Sequence, residues 1–188
     1  MMLNLRKKAF TLIELMLVVG IIAVYAGAMI PMIQGARQRA QAAKIIQTAD
    51  TLRIASINFC SDTGSYPFDY SNVPAFSWLT TDPGLSGWDG PYIDHPLTAE
   101  DASPGTGVIW VWAGMMVPFD LDGNGTADKI PGKRGATMLI SAFPEITAQA
   151  INNEVDTYIP GDWRTTGKLR FFPTGGGIGN MYFYLISE

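Results

Sequence analysis

The side chains of this chain that could do chemistry are few, and most of them are carboxylates. Cys60 is the only cysteine and His95 the only histidine, so the sequence offers neither an intrachain disulfide nor a cysteine-based zinc site. It contains no Ser/His/Asp set, no spaced pair of histidines and no phosphate-binding loop. The glycines between 175 and 179 lack the strand and helix that flank a nucleotide-binding loop, and we interpret them as a hairpin loop. The sequence therefore predicts no enzyme active site.

The strongest chemical motif is the segment DLDGNGTAD, residues 120–128. Its oxygen donors alternate along the chain, with Gly125 at the sixth place. This spacing is similar to the first nine positions of an EF-hand calcium loop, in which the glycine permits the sharp turn that lets the donors converge on a hard cation. Pro131 stands at the twelfth place, where such loops carry a bidentate glutamate, so a further ligand must come from elsewhere or from water. We expect a calcium site rather than an acidic solvated turn, with the ligands Asp120, Asp122, Asn124, the carbonyl of Thr126, and Asp128.

A further carboxylate, that of Glu14, stands at the start of the longest apolar segment. Residues 15–36 carry no charged side chain, and this is about the length that a membrane helix needs. Basic residues at positions 6–8 precede the segment, so the positive-inside bias keeps the first residues in the cytoplasm while the rest of the chain is exported. Because a carboxylate inside a membrane segment is costly, its presence predicts a functional role with a partner.

The segment KKAFTLIEL, residues 7–15, resembles the processing site of the type IV pilin superfamily. The resemblance implies that a prepilin peptidase cuts between Ala9 and Phe10 and that Phe10 becomes an N-methylated terminus. It also implies that Glu14 pairs with the terminal amine of a neighbouring subunit, and a buried pair of this kind fixes register better than it adds stability. Ala9 stands where the family usually has glycine. Pro31 lies where many pilins carry a proline that kinks the helix or lets it melt locally.

These features divide the chain into four segments. They are a leader peptide over residues 1–9, an apolar transmembrane or filament-core helix over 10–34, an amphipathic helix over 35–60 that packs on the head, and a globular head over 61–188. An ordinary signal peptide, cut near Ala26-Gly27-Ala28, is the alternative for the N-terminal part.

Helical spacing of apolar and small residues predicts one long helix from about Phe10 to Phe59. We expect its first half to protrude and its second half to lie against the head. The predicted packing stripe consists of Ile33, Ala36, Ala40, Ala43, Ile46, Leu52, Ala55 and Phe59.

The head is predicted to be α+β, a small antiparallel sheet packed on the long helix. Residues 61–107 have the composition of a long loop, and a helix over 144–157 is expected to pack through Ile146, Ala150 and Val155. Four apolar segments bounded by Gly, Pro or Asp predict strands, over 108–116, 135–140, 168–172 and 180–186.

The segment DPGLSGWDGPYI, residues 82–93, resembles the loop before the sheet in major pseudopilins of type II secretion systems. From the residue types alone, Trp88, Pro91 and Tyr92 are expected to form an aromatic cluster that anchors this loop rather than a ligand site.

Charge limits what the exported head can bind. Residues 1–54 carry seven basic and two acidic residues, a net charge of +5, whereas residues 55–188 carry six basic and fifteen acidic residues, a net charge of −9. An acidic body repels phosphate backbones, so general nucleic-acid binding is not expected.

The combined features predict a structural subunit of a type IV pilus-like filament that polymerises through its apolar helix after processing. The alternatives are a type II secretion pseudopilin, or a minor tip pilin with a role in adhesion or DNA uptake. The resemblance implies as partners other copies or related pilins, a prepilin peptidase and an inner-membrane assembly platform. It places the chain in the inner membrane before assembly and in a cell-surface or periplasmic filament afterwards.

Overall fold

The computed structural model describes residues 11–71 and 73–187, apart from the side chains of Pro31 and Pro74. The predicted processing residues Ala9 and Phe10 lie outside the described residues. Contacts divide the chain after Arg37 into two compact units. The described part of the first unit is the N-terminal portion of helix α1, Leu12–Thr63.

Gly64 ends helix α1. This glycine has a φ of +69°, a left-handed conformation that costs glycine nothing sterically, and its amide donates to the Cys60 carbonyl oxygen at 2.9 Å. The helix therefore ends at Thr63, slightly beyond the predicted end near Phe59. One long N-terminal helix is thereby confirmed.

In the first unit, the large apolar side chains of α1 are exposed. Leu12 and Val24, for example, keep about three quarters of their surface, 78% and 74%. The others are Ile13, Leu15, Met16, Leu17, Val18, Val19, Ile21, Ile22, Tyr25, Met29, Ile30, Met32 and Ile33. By length and composition α1 is apolar enough to cross a membrane.

In the second unit, α1 buries a stripe that differs in part from the predicted one. Leu52, Ala55 and Phe59 are buried as expected, but the stripe continues towards the N-terminus through Ala42, Ile45 and Ala49. The predicted residues Ala40 and Ala43 are exposed, and Ile46 is half-buried. The predicted stripe jumps six residues from Ile46 to Leu52, and such a jump moves it to a different face of the helix. Steps of three or four residues keep side chains on the same face.

Within the part of the chain that the structure describes, five antiparallel strands form one sheet, in the order β1-β2-β3-β5-β4. The strands are β1 (Asp69–Tyr70), β2 (Ile109–Trp112), β3 (Gly135–Pro144), β4 (Leu169–Gly175) and β5 (Ile178–Ser187). The α+β prediction and the four predicted strands are confirmed, with shifted bounds. The first strand was not predicted, because two residues give no alternating pattern. One turn of 3₁₀ helix, Pro74–Phe76, lies between β1 and β2.

Helix α2, Glu145–Val155, follows β3 without a loop. The predicted helix is confirmed, and its predicted inner face is confirmed for Ala150 and Val155, which are half-buried and pack against the core, but not for Ile146. Ile146 is 60% exposed, whereas Ala148 and Ile151 are fully buried. The strand passes directly into the helix at Pro144, so the backbone of β3 fixes where α2 begins on the sheet, and Ile151 rather than Ile146 faces the core.

The core of the second unit lies between α1 and one face of the sheet. Phe59 and Leu52 of α1 belong to the same buried cluster as side chains from every long strand. These strand residues are Ile109, Val111, Met138, Ile140, Leu169, Phe171, Met181, Phe183 and Leu185. The core positions the loops of the head, including residues 113–134, which connect β2 to β3.

Candidate assembly site and metal loop

Thr11 and Glu14 form a capping box at the start of α1. The Thr11 backbone N–H and its hydroxyl group both donate to Glu14 Oε2, at 2.9 and 2.8 Å, and the Glu14 N–H donates to Thr11 Oγ1 at 3.3 Å. This reciprocal pattern satisfies N–H groups that the first helical turn leaves without partners. The sequence carries its signature, Thr-x-x-Glu before an apolar run, although the sequence prediction assigned only an intersubunit role to Glu14.

The capping box leaves half of the Glu14 carboxylate available. All of the hydrogen bonds that it accepts from Thr11 go to Oε2. Within the described residues, Oε1 accepts none. The carboxylate is therefore held in one orientation while its second oxygen can still receive a donor. Apolar side chains flank it, since Ile13 and Leu15 on either side are exposed.

The acidic segment 120–128 forms a closed loop whose three carboxylates converge. Phe119 and Lys129 close its base through two backbone hydrogen bonds, 2.8 and 3.1 Å long. One oxygen each of Asp120, Asp122 and Asp128 lie within 4.8 Å of one another. This spacing is compatible with oxygens that share a single cation, since Ca²⁺ takes ligands at about 2.3–2.6 Å.

Asp120 organises the loop from the inside. It is 6% exposed, and its carboxylate accepts the amides of Gly123 at 2.8 Å, Asn124 at 3.2 Å and Gly125 at 2.9 Å. Asp128 accepts the amide of Leu121 at 2.8 Å, which ties the two ends of the loop together. The carboxylates are thus brought together by backbone amides before any cation is considered.

The other two predicted ligands are arranged differently. The Asn124 side chain donates to Asp122 Oδ2 at 2.8 Å, and its Oδ1 accepts the Thr126 amide at 2.8 Å. A cation bound through Asn124 Oδ1 would use the remaining lone pair of that oxygen. No hydrogen bond that fixes the direction of the Thr126 carbonyl is found within the described residues.

The acidic loop is seated on the rest of the head through backbone contacts. The Asp120 carbonyl oxygen accepts the Gly167 amide at 2.7 Å. Gly123, with φ of +74°, lies so close to Pro160 that a Cβ atom there would stand 2.3 Å from the Pro160 carbonyl oxygen. The loop therefore holds residues 160–167, which lead into β4.

Two contacts connect the loop to the sheet face opposite the core. The rings of Phe119 and Tyr184 lie 5.7 Å apart, and the Arg170 guanidinium donates to the Pro118 carbonyl oxygen. Burial lowers the pKa of Arg170, and the nearby charge of Asp120 opposes that shift. The positive charge of Arg170, on β4, therefore interacts with the carboxylate of Asp120 in the loop.

The predicted aromatic anchor of the 82–93 loop is confirmed for Trp88 and Tyr92. Their rings meet edge to face at 5.9 Å, and the Tyr92 ring also meets Phe59 of α1 at 5.5 Å. The Tyr92 hydroxyl donates to Asp62 Oδ2 at 2.9 Å, and Trp88 Nε1 donates to the Trp78 carbonyl at 3.1 Å. Pro91, the third predicted member, is exposed.

Comparison with known proteins identifies the N-terminal part of the chain. The prokaryotic N-terminal methylation motif matches residues 4–30, so the chain carries the class III signal of a type IV pilin-like or pseudopilin-like precursor. No curated protein and no solved structure matches the chain. The motif points to a structural protein rather than an enzyme and implies processing by a prepilin peptidase and assembly into multimers. With the apolar helix, it is consistent with membrane anchoring before assembly.

Proposed function

We propose that this chain is a structural subunit of a type IV pilus-like filament. A prepilin peptidase cuts it between Ala9 and Phe10, α1 anchors it in the inner membrane, and an assembly platform then adds it to a cell-surface or periplasmic filament of identical or related subunits. The observation that carries this proposal is the methylation motif over residues 4–30, which includes the first part of α1, where the apolar side chains are exposed. In water such a surface is costly, and lipid or other apolar helices remove that cost.

The geometry of Glu14 supports a role in assembly. One oxygen of its carboxylate is fixed by Thr11, and the other is open towards a donor. The terminal amine of a neighbouring subunit carries N–H donors and a positive charge, so it would pair with the open oxygen without displacing Thr11. In an apolar surrounding such pairing compensates two charges that water does not reach. Pro31 remains the predicted flexible position of the helix.

The replacement Glu14→Ala tests this role. We expect the variant to insert into the inner membrane at the wild-type level but to be strongly depleted from sheared filaments, because the charge of the neighbouring amine is left unpaired. Glu154→Ala is the matched control, since Glu154 is an exposed glutamate on α2. Quantitative immunoblots of the membrane and sheared-filament fractions measure membrane insertion and incorporation for each variant. Filaments with wild-type amounts of the Glu14→Ala subunit would refute the proposed pairing.

A type II secretion pseudopilin is the second candidate, because of the loop at residues 82–93. In the structure this loop lies between β1 and β2 and is anchored on α1 by the Tyr92 and Phe59 rings. Abundance distinguishes the roles of a subunit. A main structural subunit dominates the sheared surface filaments, whereas a tip protein is scarce there and a pseudopilin is retained in the periplasm.

We also propose that the loop at residues 120–128 binds calcium. The converging carboxylates of Asp120, Asp122 and Asp128 support it, since three carboxylate oxygens within 4.8 Å repel one another unless a cation lies between them. Calcium at about a hundred times its dissociation constant stabilises the folded state by about 2.7 kcal/mol. For a chain of this size that corresponds to a rise of roughly 5–10 °C in the melting temperature.

Calorimetry of the full chain in detergent, with calcium or with a chelator, tests the calcium site. We expect the melting temperature of the wild type to rise with calcium and that of Asp122→Asn to rise much less. Asp94→Asn, which removes an exposed carboxylate outside the loop, should respond like the wild type. Equal melting temperatures of the wild type with calcium and with chelator would show that the loop does not bind calcium.

A further inference from the structure

Asp69 is a buried carboxylate in β1, at the edge of the sheet, next to the segment that leads to the loop at residues 82–93. It has no exposed surface. Its backbone pairs with Val111 of β2 on one side and forms an isolated antiparallel bridge with Ser77 on the other. Aspartate is among the residues least often found fully buried, and those that are buried normally have a charged or hydrogen-bonding partner.

The Asp69 side chain holds the segment 77–92 through a backbone amide. Its Oδ2 accepts the Leu79 N–H at 3.2 Å. Within the described residues, Oδ1 is buried and has no hydrogen-bond partner. A buried acceptor without a partner costs free energy, and the cost is larger when the group is ionised.

Further hydrogen bonds connect Asp69 to the loop at residues 82–93. The Leu79 carbonyl oxygen accepts the Tyr92 N–H at 2.7 Å, so Leu79 bonds Asp69 on one side and Tyr92 on the other. Its neighbour Trp78 accepts the indole N–H of Trp88. A change at Asp69 therefore acts on the Leu79–Asp69 bond, which joins the segment to the sheet, and through Leu79 on a hydrogen bond within residues 77–92.

We propose that Asp69 is a pH-sensitive latch, which holds the segment 77–92 firmly when it is protonated and releases it more readily when it is ionised. Opening of the segment lets water reach the ionised carboxylate. This latch is independent of whether the chain serves a pilus or a pseudopilus.

The electrostatic surroundings of Asp69 favour its neutral form. Burial raises its pKa from 3.8 to about 6, and the Leu79 and Tyr70 amides oppose the rise without cancelling it. The elements that hold it supply no positive charge, because β2 and residues 73–79 contain no charged residue. Tyr70 is the other titratable group of β1, and Asp62 of α1 is bonded to the Tyr92 hydroxyl.

The direction of the pH effect follows from the raised pKa. The closed segment binds the proton more tightly than the open one, so the stabilisation by protonated Asp69 is fully present below pH 3.8 and is lost as the pH rises through about 6. For a pKa of about 6 when closed and 3.8 when open, the population of the open segment rises about tenfold between about pH 5 and about pH 7.5.

Amide hydrogen exchange of the full chain in detergent micelles, measured by NMR, tests the latch. After correction for intrinsic exchange, we expect protection of the Leu79 and Tyr92 amides to fall about tenfold from about pH 5 to about pH 7.5. In Asp69→Asn, which keeps an acceptor for Leu79 but does not ionise, the fall should be less than about twofold. Asp82→Asn, an exposed aspartate of the same segment, should behave like the wild type.

The amides of Met138 and Met181, in the core strands β3 and β5, report global unfolding and should keep their protection. Wild-type protection of Leu79 that is constant with pH would overturn the latch. The same tenfold fall in Asp69→Asn would also overturn it. If Asp69→Asn does not fold, the wild-type pH course decides alone, because the latch requires a transition with a midpoint near 6 that Met138 and Met181 do not share.

Discussion

Replacing Thr11 by valine removes the hydroxyl group at the start of α1 while keeping the shape of the side chain. Two of the three hydrogen bonds between Thr11 and Glu14 use that hydroxyl group, and the third uses the Thr11 backbone N–H and remains. Loss of a capping threonine costs about 1 kcal/mol, which is about a fivefold change in the equilibrium between a formed and a frayed first turn.

Hydrogen exchange at the first turn measures this change. The Glu14 N–H donates to Thr11 Oγ1, and the Leu15 N–H donates to the Thr11 carbonyl oxygen at 3.3 Å, so both amides report on the cap. In Thr11→Val, in micelles, we expect both to lose about fivefold in protection. Thr11→Ser keeps a hydroxyl group and should retain most of the protection.

The same variants connect the cap to assembly. If Thr11 orients the Glu14 carboxylate for a neighbouring amine, Thr11→Val should enter sheared filaments less efficiently than Thr11→Ser, although both insert into the membrane. Unchanged protection in Thr11→Val would refute the capping argument. Normal protection with poor incorporation would instead mean that the hydroxyl group acts on a partner and not on Glu14.

Two further predictions concern the head, and both are checked by chemical denaturation of the full chain in detergent. Gly123→Ala should destabilise the chain by about 1–3 kcal/mol more than Gly125→Ala. Both glycines have positive φ, +74° and +87°, but only a Cβ atom at Gly123 would contact Pro160. Equal losses of stability would show that the loop does not pack against Pro160. Tyr92→Phe should cost about 1–2 kcal/mol, because its hydroxyl group bonds Asp62 and the Asp89 amide, and an unchanged stability would contradict this.

Much of the fold could be predicted because its signals are local. The apolar run and the four longer strands each have a pattern within a few residues. The inner faces of the helices were harder to predict. Apolar residues occur on more than one face of α1, and α2 carries two isoleucines, of which Ile151 is buried and Ile146 is exposed.

The candidate sites likewise divide into those with a local sequence pattern and those that depend on the fold. Alternating donors predicted that Asp120, Asp122 and Asp128 lie together, and the structure places them so. The signal for the Thr11 cap was present in the sequence. Asp69 had no such signal, because its burial depends on pairing of β1 with β2, which is distant in the chain, and on a bridge to Ser77.

The N-terminus of the mature chain tests the proposed function most directly. Filaments sheared from the native cells, or pseudopili purified from the periplasm, can be digested and their N-terminal peptide analysed by mass spectrometry. The proposed function predicts a peptide that begins at Phe10 and carries one additional methyl group on its terminal amine. A chain that begins at Met1, or one cut after Ala28 and so lacking Glu14, would contradict assembly through this helix.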